Sequence, residues 1–180
     1  MMWLILLVIP YIVNASLLGL QQDDPLLINQ IKPLIHPPSE LDYNFTKEPD
    51  LNGQFGQAIE VSKLLGGQTN GFFIEAGAFN GQDISNTLLL EMQYNWTGIL
   101  IEPNPDLYQE MLTKQRKSYC LETCLSTEKE VQKVDFDATG AFLHFFPIHI
   151  FFKKMFLFFF FHSFNFIFIL FLNIFLSFFY

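Results

Sequence analysis

The sequence is poor in the residues that hold metals, form disulfides and bind nucleic acids. Its 180 residues include two cysteines and four histidines, and ten basic residues stand against 18 acidic ones, for a formal net charge of −8. Nucleic-acid affinity depends on clustered lysine and arginine, so no nucleic-acid partner is expected. Cys120 and Cys124 lie too far apart along one predicted strand for an easy disulfide and are expected to be buried free thiols. The scattered histidines predict no metal site, and no HExxH, Walker or GxSxG motif is present.

Charge and phenylalanine are unevenly distributed along the chain. All 18 acidic and eight of the ten basic residues lie in the first 140 residues, a net charge of −10, whereas the last forty carry only Lys153 and Lys154. Of the 23 phenylalanines, 17 fall between Phe142 and Phe179. The composition therefore separates a Phe-rich hydrophobic tail, residues 142–180, from the rest of the chain.

The first twenty residues form an uncharged hydrophobic run. Its apolar part, Trp3 to Val13, has the length of the hydrophobic region of a signal peptide, and small residues precede a cleavage point after Ala15. As a helix, twenty residues would also span about 30 Å, which is enough to cross a bilayer. Residues 1–20 are therefore predicted to be either a signal peptide or a signal anchor.

Residues 21–52 are predicted to be a proline-rich linker, because five prolines interrupt a stretch with little apolar periodicity. N-glycosylation sequons occur in this segment, at Asn44-Phe45-Thr46, and further along, at Asn95-Trp96-Thr97. They would be used only if this part of the chain reaches the lumen of the secretory pathway.

The Phe-rich tail has two interpretations. From Met155 to Tyr180 no residue is formally charged and 21 of 26 are apolar, with Lys153 and Lys154 just before, as in a transmembrane helix with a basic flank. Twelve of the 26 are phenylalanine, however, whereas membrane spans mix leucine, isoleucine, valine, alanine and glycine. The tail is accordingly either a transmembrane segment or an artefact of gene prediction.

The central segment, residues 53–141, predicts alternating helices and strands. Apolar periodicity and turn signals predict helices from Gly53 to Leu65, from Ile84 to Tyr94, and from Pro105 to a basic cluster at Lys114, Arg116 and Lys117. The apolar stripe of the first helix comprises Phe55, Ala58, Ile59, Val61, Leu64 and Leu65. Strands are predicted at Phe72–Ala76, Thr97–Glu102, Tyr119–Leu125 and, shorter, Val131–Phe136. This order is typical of a doubly wound parallel sheet. The predicted fold class is α/β, with a partial Rossmann-like sheet flanked by hydrophobic terminal segments.

A candidate ligand site follows from the ends of the first two predicted strands, because ligands of such sheets bind beyond the carboxyl ends of the strands. Glu75 lies near the end of the first strand, and Gly77 and Gly81 follow in a turn where the backbone could approach a ligand. Glu102 ends the second strand, where a carboxylate can accept hydrogen bonds from ribose hydroxyls. The glycine spacing differs from a dinucleotide loop and suits a nucleoside without a pyrophosphate; the alternative is an ordinary turn beside a solvated acid.

The same residues resemble a known family. GFFIEAGAFNGQDISNTLLLE, followed by NWTGILIEPNPDLYQEMLTKQRKSYCLETCLS, is similar to the FkbM-type methyltransferase domain, most closely to its Star-like branch in arthropods. The similarity runs from about Gly66 to Ala141. It implies a Rossmann-like fold that binds S-adenosylmethionine. The implied cofactor contacts are Glu75, Gly77 and Gly81 around the methionine and nucleoside end, and Glu102 on the ribose.

The Star-like resemblance also implies a cellular role. It implies a single-pass membrane protein of the secretory pathway, acting in transport from endoplasmic reticulum to Golgi and in endosomal traffic, with the membrane and client secretory or membrane proteins as partners and the domain in the lumen. Two features depart from the family: the Phe-rich tail replaces further strands, and Asn95 replaces a glycine. Three alternatives stay open: a transport factor, an S-adenosylmethionine-dependent O-methyltransferase with no identifiable catalytic base, and a nonfunctional fragment.

Overall fold

The computed structural model of the chain describes residues 17–126 and 128–132, together with the backbone of three outlying strands. The helices are α1 (Pro25–Ile31), α2 (Gln57–Leu64), α3 (Leu88–Tyr94) and α4 (Pro105–Thr113). The strands are β1 (Leu6–Val8), β2 (Phe72–Ala76), β3 (Thr97–Ile101), β4 (Tyr119–Leu121), β5 (Cys124–Ser126), β6 (Leu157–Phe160) and β7 (Ile167–Leu172). Single 3-10 turns occur at Lys32–Leu34 and Gln54–Gly56.

The centre of the fold is a parallel sheet formed by β2, β3 and β4. Phe72 lies opposite Thr97, and Ile99 lies opposite Tyr119. β7 adds in parallel to the free side of β2 and β6 pairs antiparallel with β7, which gives the order β4-β3-β2-β7-β6. Helices connect the parallel strands, as in a Rossmann-like sheet, so the predicted α/β class is confirmed.

The core forms between this sheet and its connecting helices. Phe73 of β2 is completely buried, and Gly98 of β3 makes room for it: a Cβ at Gly98 would lie 2.2 Å from Cδ2 of the Phe73 ring. Trp96 is also buried, and its indole Nε1 donates to the carbonyl of Gln68 at 2.8 Å. The largest group of packed, buried side chains is Val61, Phe73, Ala78, Leu90, Trp96, Leu100, Tyr108, Met111 and Cys120.

Helix α4 begins where its sequence predicts. Asn104 is the N-cap, and its side-chain oxygen accepts hydrogen bonds from the backbone N–H groups of Asp106 and Leu107 at 3.0 and 3.3 Å. Pro105 occupies the first helical position, where no backbone donor is needed. The helix therefore fixes the chain that follows Glu102 at the end of β3.

Two predicted elements differ from those in the structure. The helix predicted from Ile84 begins four residues later, at Leu88, because residues 85–87 form a loop and Ile84 itself has a φ of 54°. The strand predicted from Tyr119 to Leu125 divides into β4 and β5. β5 leaves the parallel sheet and pairs antiparallel with β1.

The helix predicted from Gly53 also begins later than expected, at Gln57. Residues 54–56 form a 3-10 turn in which Phe55 adopts a left-handed conformation, with a φ of 53°. Phe55 is 92% exposed, so it does not belong to the apolar stripe on which the periodicity places it. Leu64 is also exposed, at 68%, whereas Ala58 and Val61 of the predicted stripe supply the buried side of α2.

The predicted linker packs against the sheet. Leu27 and Ile31 of α1 are buried against Leu121 and Val131. Beyond α1, residues 36–44, here called the N-terminal strap, run beside residues 114–120. His36 and Cys120 exchange two backbone hydrogen bonds of 2.8 and 2.9 Å. The strap thereby covers the outer edge of β4.

The two hydrophobic ends contribute strands to the fold. β1 lies inside the predicted targeting segment, and β6 and β7 lie inside the Phe-rich tail. Apart from residues 17–20, the other residues of these two ends lie outside the described residues, as do residues 133–136 of the predicted fourth strand. In the part of the chain that the structure describes, no helix is both long enough and apolar enough to cross a membrane.

Candidate functional site

The carboxyl ends of β2 and β3 meet at one edge of the sheet, as the parallel pairing requires. The backbone N–H groups of Gly77 and Ala78 donate to the carbonyl of Ile101 at 2.8 and 3.0 Å. Phe79, in the turn after β2, donates its N–H to Oε2 of Glu102 at 2.8 Å. The structure therefore brings the predicted glycine turn and the predicted ribose-binding acid into direct contact.

Glu102 links two turns. Its Oε2 holds Phe79, and its Oε1 accepts the backbone N–H of Asn104 at 2.9 Å. The residue is 5% exposed, and this burial raises the pKa of its carboxyl to about 7, although both hydrogen bonds favour the ionised form. A carboxylate has about four acceptor positions. Glu102 can therefore keep both backbone contacts and still accept a hydroxyl from a ligand.

Glu75 is engaged differently, by a loop of the protein. Its Oε1 accepts the backbone N–H of Asn86 at 2.7 Å, and its Oε2 accepts the hydroxyls of Ser85 and Thr87 at 2.9 and 2.5 Å. The side chain is completely buried. Glu75 thus organises residues 85–87, and the cofactor contact that the resemblance implies for it stays a prediction.

The two glycines of the turn have separate structural roles. Gly77 and Gly81 both have a φ of 74°, the left-handed region that favours glycine. A Cβ at Gly81 would lie 2.6 Å from Cγ of Met111, so the missing side chain allows α4 to pack closely. Gly81 therefore serves helix packing, while Gly77 lies at the carboxyl edge beside the end of β3.

A buried ion pair lies behind this edge. Nε of Arg116 donates to Oε1 of Glu91 at 2.9 Å, and both side chains are inaccessible to solvent. Glu91 also accepts the backbone N–H of Lys117 and the hydroxyl of Ser118, at 2.8 and 2.6 Å. Burial disfavours both charges, but their attraction and these hydrogen bonds lower the pKa of Glu91 and raise that of Arg116.

Arg116 connects the ion pair to the edge of the sheet. Its Nη1 donates to the carbonyl of Gly81 at 2.5 Å and to the hydroxyl of Ser85 at 3.3 Å, and its Nη2 donates to Thr87 at 3.2 Å. The glycine turn, the loop 85–87 and α3 are thus held by one guanidinium. The sequence pattern placed Arg116 in a basic cluster at a helix end and gave no sign of its burial.

Gln54 joins the same polar region from the turn before α2. Its backbone N–H donates to Oδ1 of Asn86 at 2.8 Å, and the residue is 5% exposed. Its side-chain Nε2 is buried without a hydrogen-bond partner and is the one such side-chain atom found among the described residues. An unpaired buried amide is costly and is a common sign of a bound water or ligand. The periodicity placed Gln54 in a helix and did not identify it.

A small cavity and the buried thiol of Cys120 lie between Arg116 and the N-terminal strap. A cavity of about 20 Å³ lies between His36, Ser39, Arg116 and Cys120, which is room for a water molecule. Cys120 and Cys124 are both free and buried, and burial raises the pKa values of their thiols to about 12 and about 11. Thiols with such pKa values are poor nucleophiles.

The carboxyl edge therefore offers hydrogen-bond acceptors and a glycine turn. Glu102 can accept hydroxyl groups, and Gly77 leaves the backbone close to the same position. In the described ranges no group of three or more metal-ligating side chains occurs. No protein-family model, curated protein or solved structure matches this chain.

Proposed function

We propose that this chain is a membrane-associated protein of the secretory pathway that acts in transport between endoplasmic reticulum, Golgi and endosomes. Its α/β domain, which resembles an FkbM-type methyltransferase of the Star-like branch, would bind client secretory or membrane proteins there. The hydrophobic N-terminal run and the Star-like resemblance support the location.

One observation supports a binding role rather than a catalytic one. The carboxylates at both strand ends accept hydrogen bonds from the protein itself. Glu75 accepts three hydrogen bonds from residues 85–87, and Glu102 accepts two from backbone N–H groups. These contacts favour a methyltransferase-like domain whose acids stabilise its turns. The proposed role needs no chemical step at this edge.

A transport assay tests the proposal. Cells depleted of the full chain are expected to deliver a secreted reporter from endoplasmic reticulum to Golgi more slowly, measured by the Golgi processing of its glycans. Wild type and Glu102→Gln are expected to rescue equally, because the role requires no catalysis. Normal transport in depleted cells, or rescue by wild type alone when the variant folds normally, would contradict a binding role.

The second candidate is an S-adenosylmethionine-dependent O-methyltransferase. It is favoured by the position of Glu102, a buried acid at the carboxyl end of β3 in direct contact with the turn that follows β2. In this role Glu102 would hold the ribose hydroxyls and the Gly77 turn would admit the rest of the cofactor. The proposal assigns no catalytic base.

Equilibrium dialysis of the full chain against labelled S-adenosylmethionine separates the two candidates. The enzyme predicts binding that Glu102→Gln weakens at least tenfold and that Glu60→Gln, which removes an exposed acid on α2 away from the carboxyl edge, leaves unchanged. Absence of binding would contradict the enzyme. Absence of both binding and rescue would favour the third alternative, a nonfunctional fragment.

A further inference from the structure

Two asparagines of N-glycosylation sequons lie on the exposed surface of the α/β domain. Asn44 belongs to the N-terminal strap, and its backbone N–H donates to the carbonyl of Lys114 at 3.0 Å. Asn95 caps the end of α3 in a left-handed turn, with φ 54° and ψ 37°. Asn44 lies in an exposed irregular segment and Asn95 at an exposed helix end, where a bulky, hydrophilic glycan can extend into solvent.

Each side-chain amide uses one protein acceptor. Nδ2 of Asn44 donates to the carbonyl of Thr113 at 3.1 Å, and Nδ2 of Asn95 donates to Oδ1 of Asn70 at 2.6 Å. An asparagine amide carries two hydrogens, so one remains for substitution at each position while the hydrogen bond is kept. A glycan at either asparagine is therefore compatible with the folded structure.

Both asparagines lie at the amino edge of the parallel sheet. Asn95 lies two residues before β3, and its partner Asn70 lies two residues before β2. Asn44 contacts the end of α4, where the chain turns back towards the start of β4. Glu102 lies at the opposite, carboxyl edge. A glycan at Asn95 would leave Glu102 uncovered.

We propose that Asn44 and Asn95 are N-glycosylated and that their glycans project from the amino edge of the sheet. This inference rests on the proposed secretory location. The donor is a lipid pyrophosphate oligosaccharide. The bond from its sugar C1 to the pyrophosphate oxygen breaks, and the lipid pyrophosphate leaves with the electron pair. A bond forms between C1 and Nδ2 of the asparagine, and the amide proton passes to a base of the transferase.

The test is translation of the full chain with microsomes of the endoplasmic reticulum, followed by peptide N-glycosidase and by protease. A third sequon, Asn14-Ala15-Ser16, lies in the N-terminal run, so all variants carry Asn14→Gln. Two glycosidase-sensitive steps in gel mobility are expected. Asn44→Gln and Asn95→Gln should each remove one step, the double variant should remove both, and Asn70→Gln, which alters no sequon, should remove none.

Protease protection distinguishes the failure of this inference from the failure of the proposed location. A protected domain without a mobility step would overturn the glycan assignment and leave the lumenal location intact. An accessible domain without a step would overturn both. A single step would overturn the assignment at the asparagine whose replacement has no effect.

Discussion

The two acids at neighbouring strand ends show how the same residue type takes two structural roles. Glu75 is surrounded by donors, two hydroxyls and one N–H, with the Arg116 guanidinium bonded to the same two hydroxyls. Glu102 has two backbone N–H donors, and burial raises the pKa of its carboxyl to about 7. A buried carboxylate is stable when donors and a cation compensate its desolvation.

The difference separates a structural acid from a candidate binding acid. The hydrogen bonds described for Glu75 fix a loop. Glu102 has fewer donors to compensate its burial, and it lies at the edge where ligands of such sheets bind. Perturbed pKa values of this origin are typical of functional positions. Three substitutions test how the buried polar groups around these two acids stabilise the fold.

The largest effect is expected from Arg116→Met. Removing the guanidinium leaves Glu91 buried without its cation and releases the turn at Gly81, so the free energy of unfolding should fall by about 3–5 kcal/mol. Lys63→Met breaks the exposed pair with Glu60 and should cost under about 1 kcal/mol. Denaturant titration measures both, and equal losses would contradict the assigned role of Arg116.

Glu102→Gln should change the pH dependence of stability. Because the folded pKa of Glu102 is raised from 4.5 to about 7, the folded state keeps a proton that the unfolded state releases in this window. The free energy of unfolding therefore falls as pH rises through the window, by about 3 kcal/mol in all. The fall should be smaller in Glu102→Gln, and identical slopes from pH 4.5 to 7 would contradict the raised pKa.

The smallest effect is expected from Gln54→Met. The change removes a buried amide whose Nε2 has no partner and keeps most of its volume, so the free energy of unfolding should rise by about 1 kcal/mol or stay unchanged. Gln57→Met, on the first residue of α2, is the matched control. A loss above about 1 kcal/mol relative to that control would show that the amide has a partner in solution, as a bound ligand would provide.

Elements with local signals were predictable from the sequence. β2 and β3 are short apolar runs ended by turn residues, and α4 has a capping asparagine followed by proline. The start of α3 was not predictable in the same way. Ser85 and Thr87 are outside the helix because their hydroxyls bind Glu75, which lies at least ten residues earlier in the sequence.

The candidate site was predictable in part. Strand order places Glu102 beside the turn at Gly77, and the structure has that contact through Phe79. The burial of Arg116 depends on Glu91, 25 residues earlier, and a buried and a solvated basic residue look alike at the end of a helix. The unpaired amide of Gln54 lies next to a left-handed turn at Phe55, a conformation that local patterns do not indicate.

The N-terminal strap has a consequence for the order of folding. Ser39 and Asn44 donate their backbone N–H groups to the carbonyls of Arg116 and Lys114, and His36 pairs with Cys120. The strap leaves the ribosome well before these partners do. Its hydrogen bonds to them can form only after about 80 further residues have been added. Contacts of such sequence separation form slowly because a long loop must close first. During synthesis the outer edge of β4 is therefore among the last surfaces to be covered, and chains halted before residue 113 would lack every partner of the strap named here.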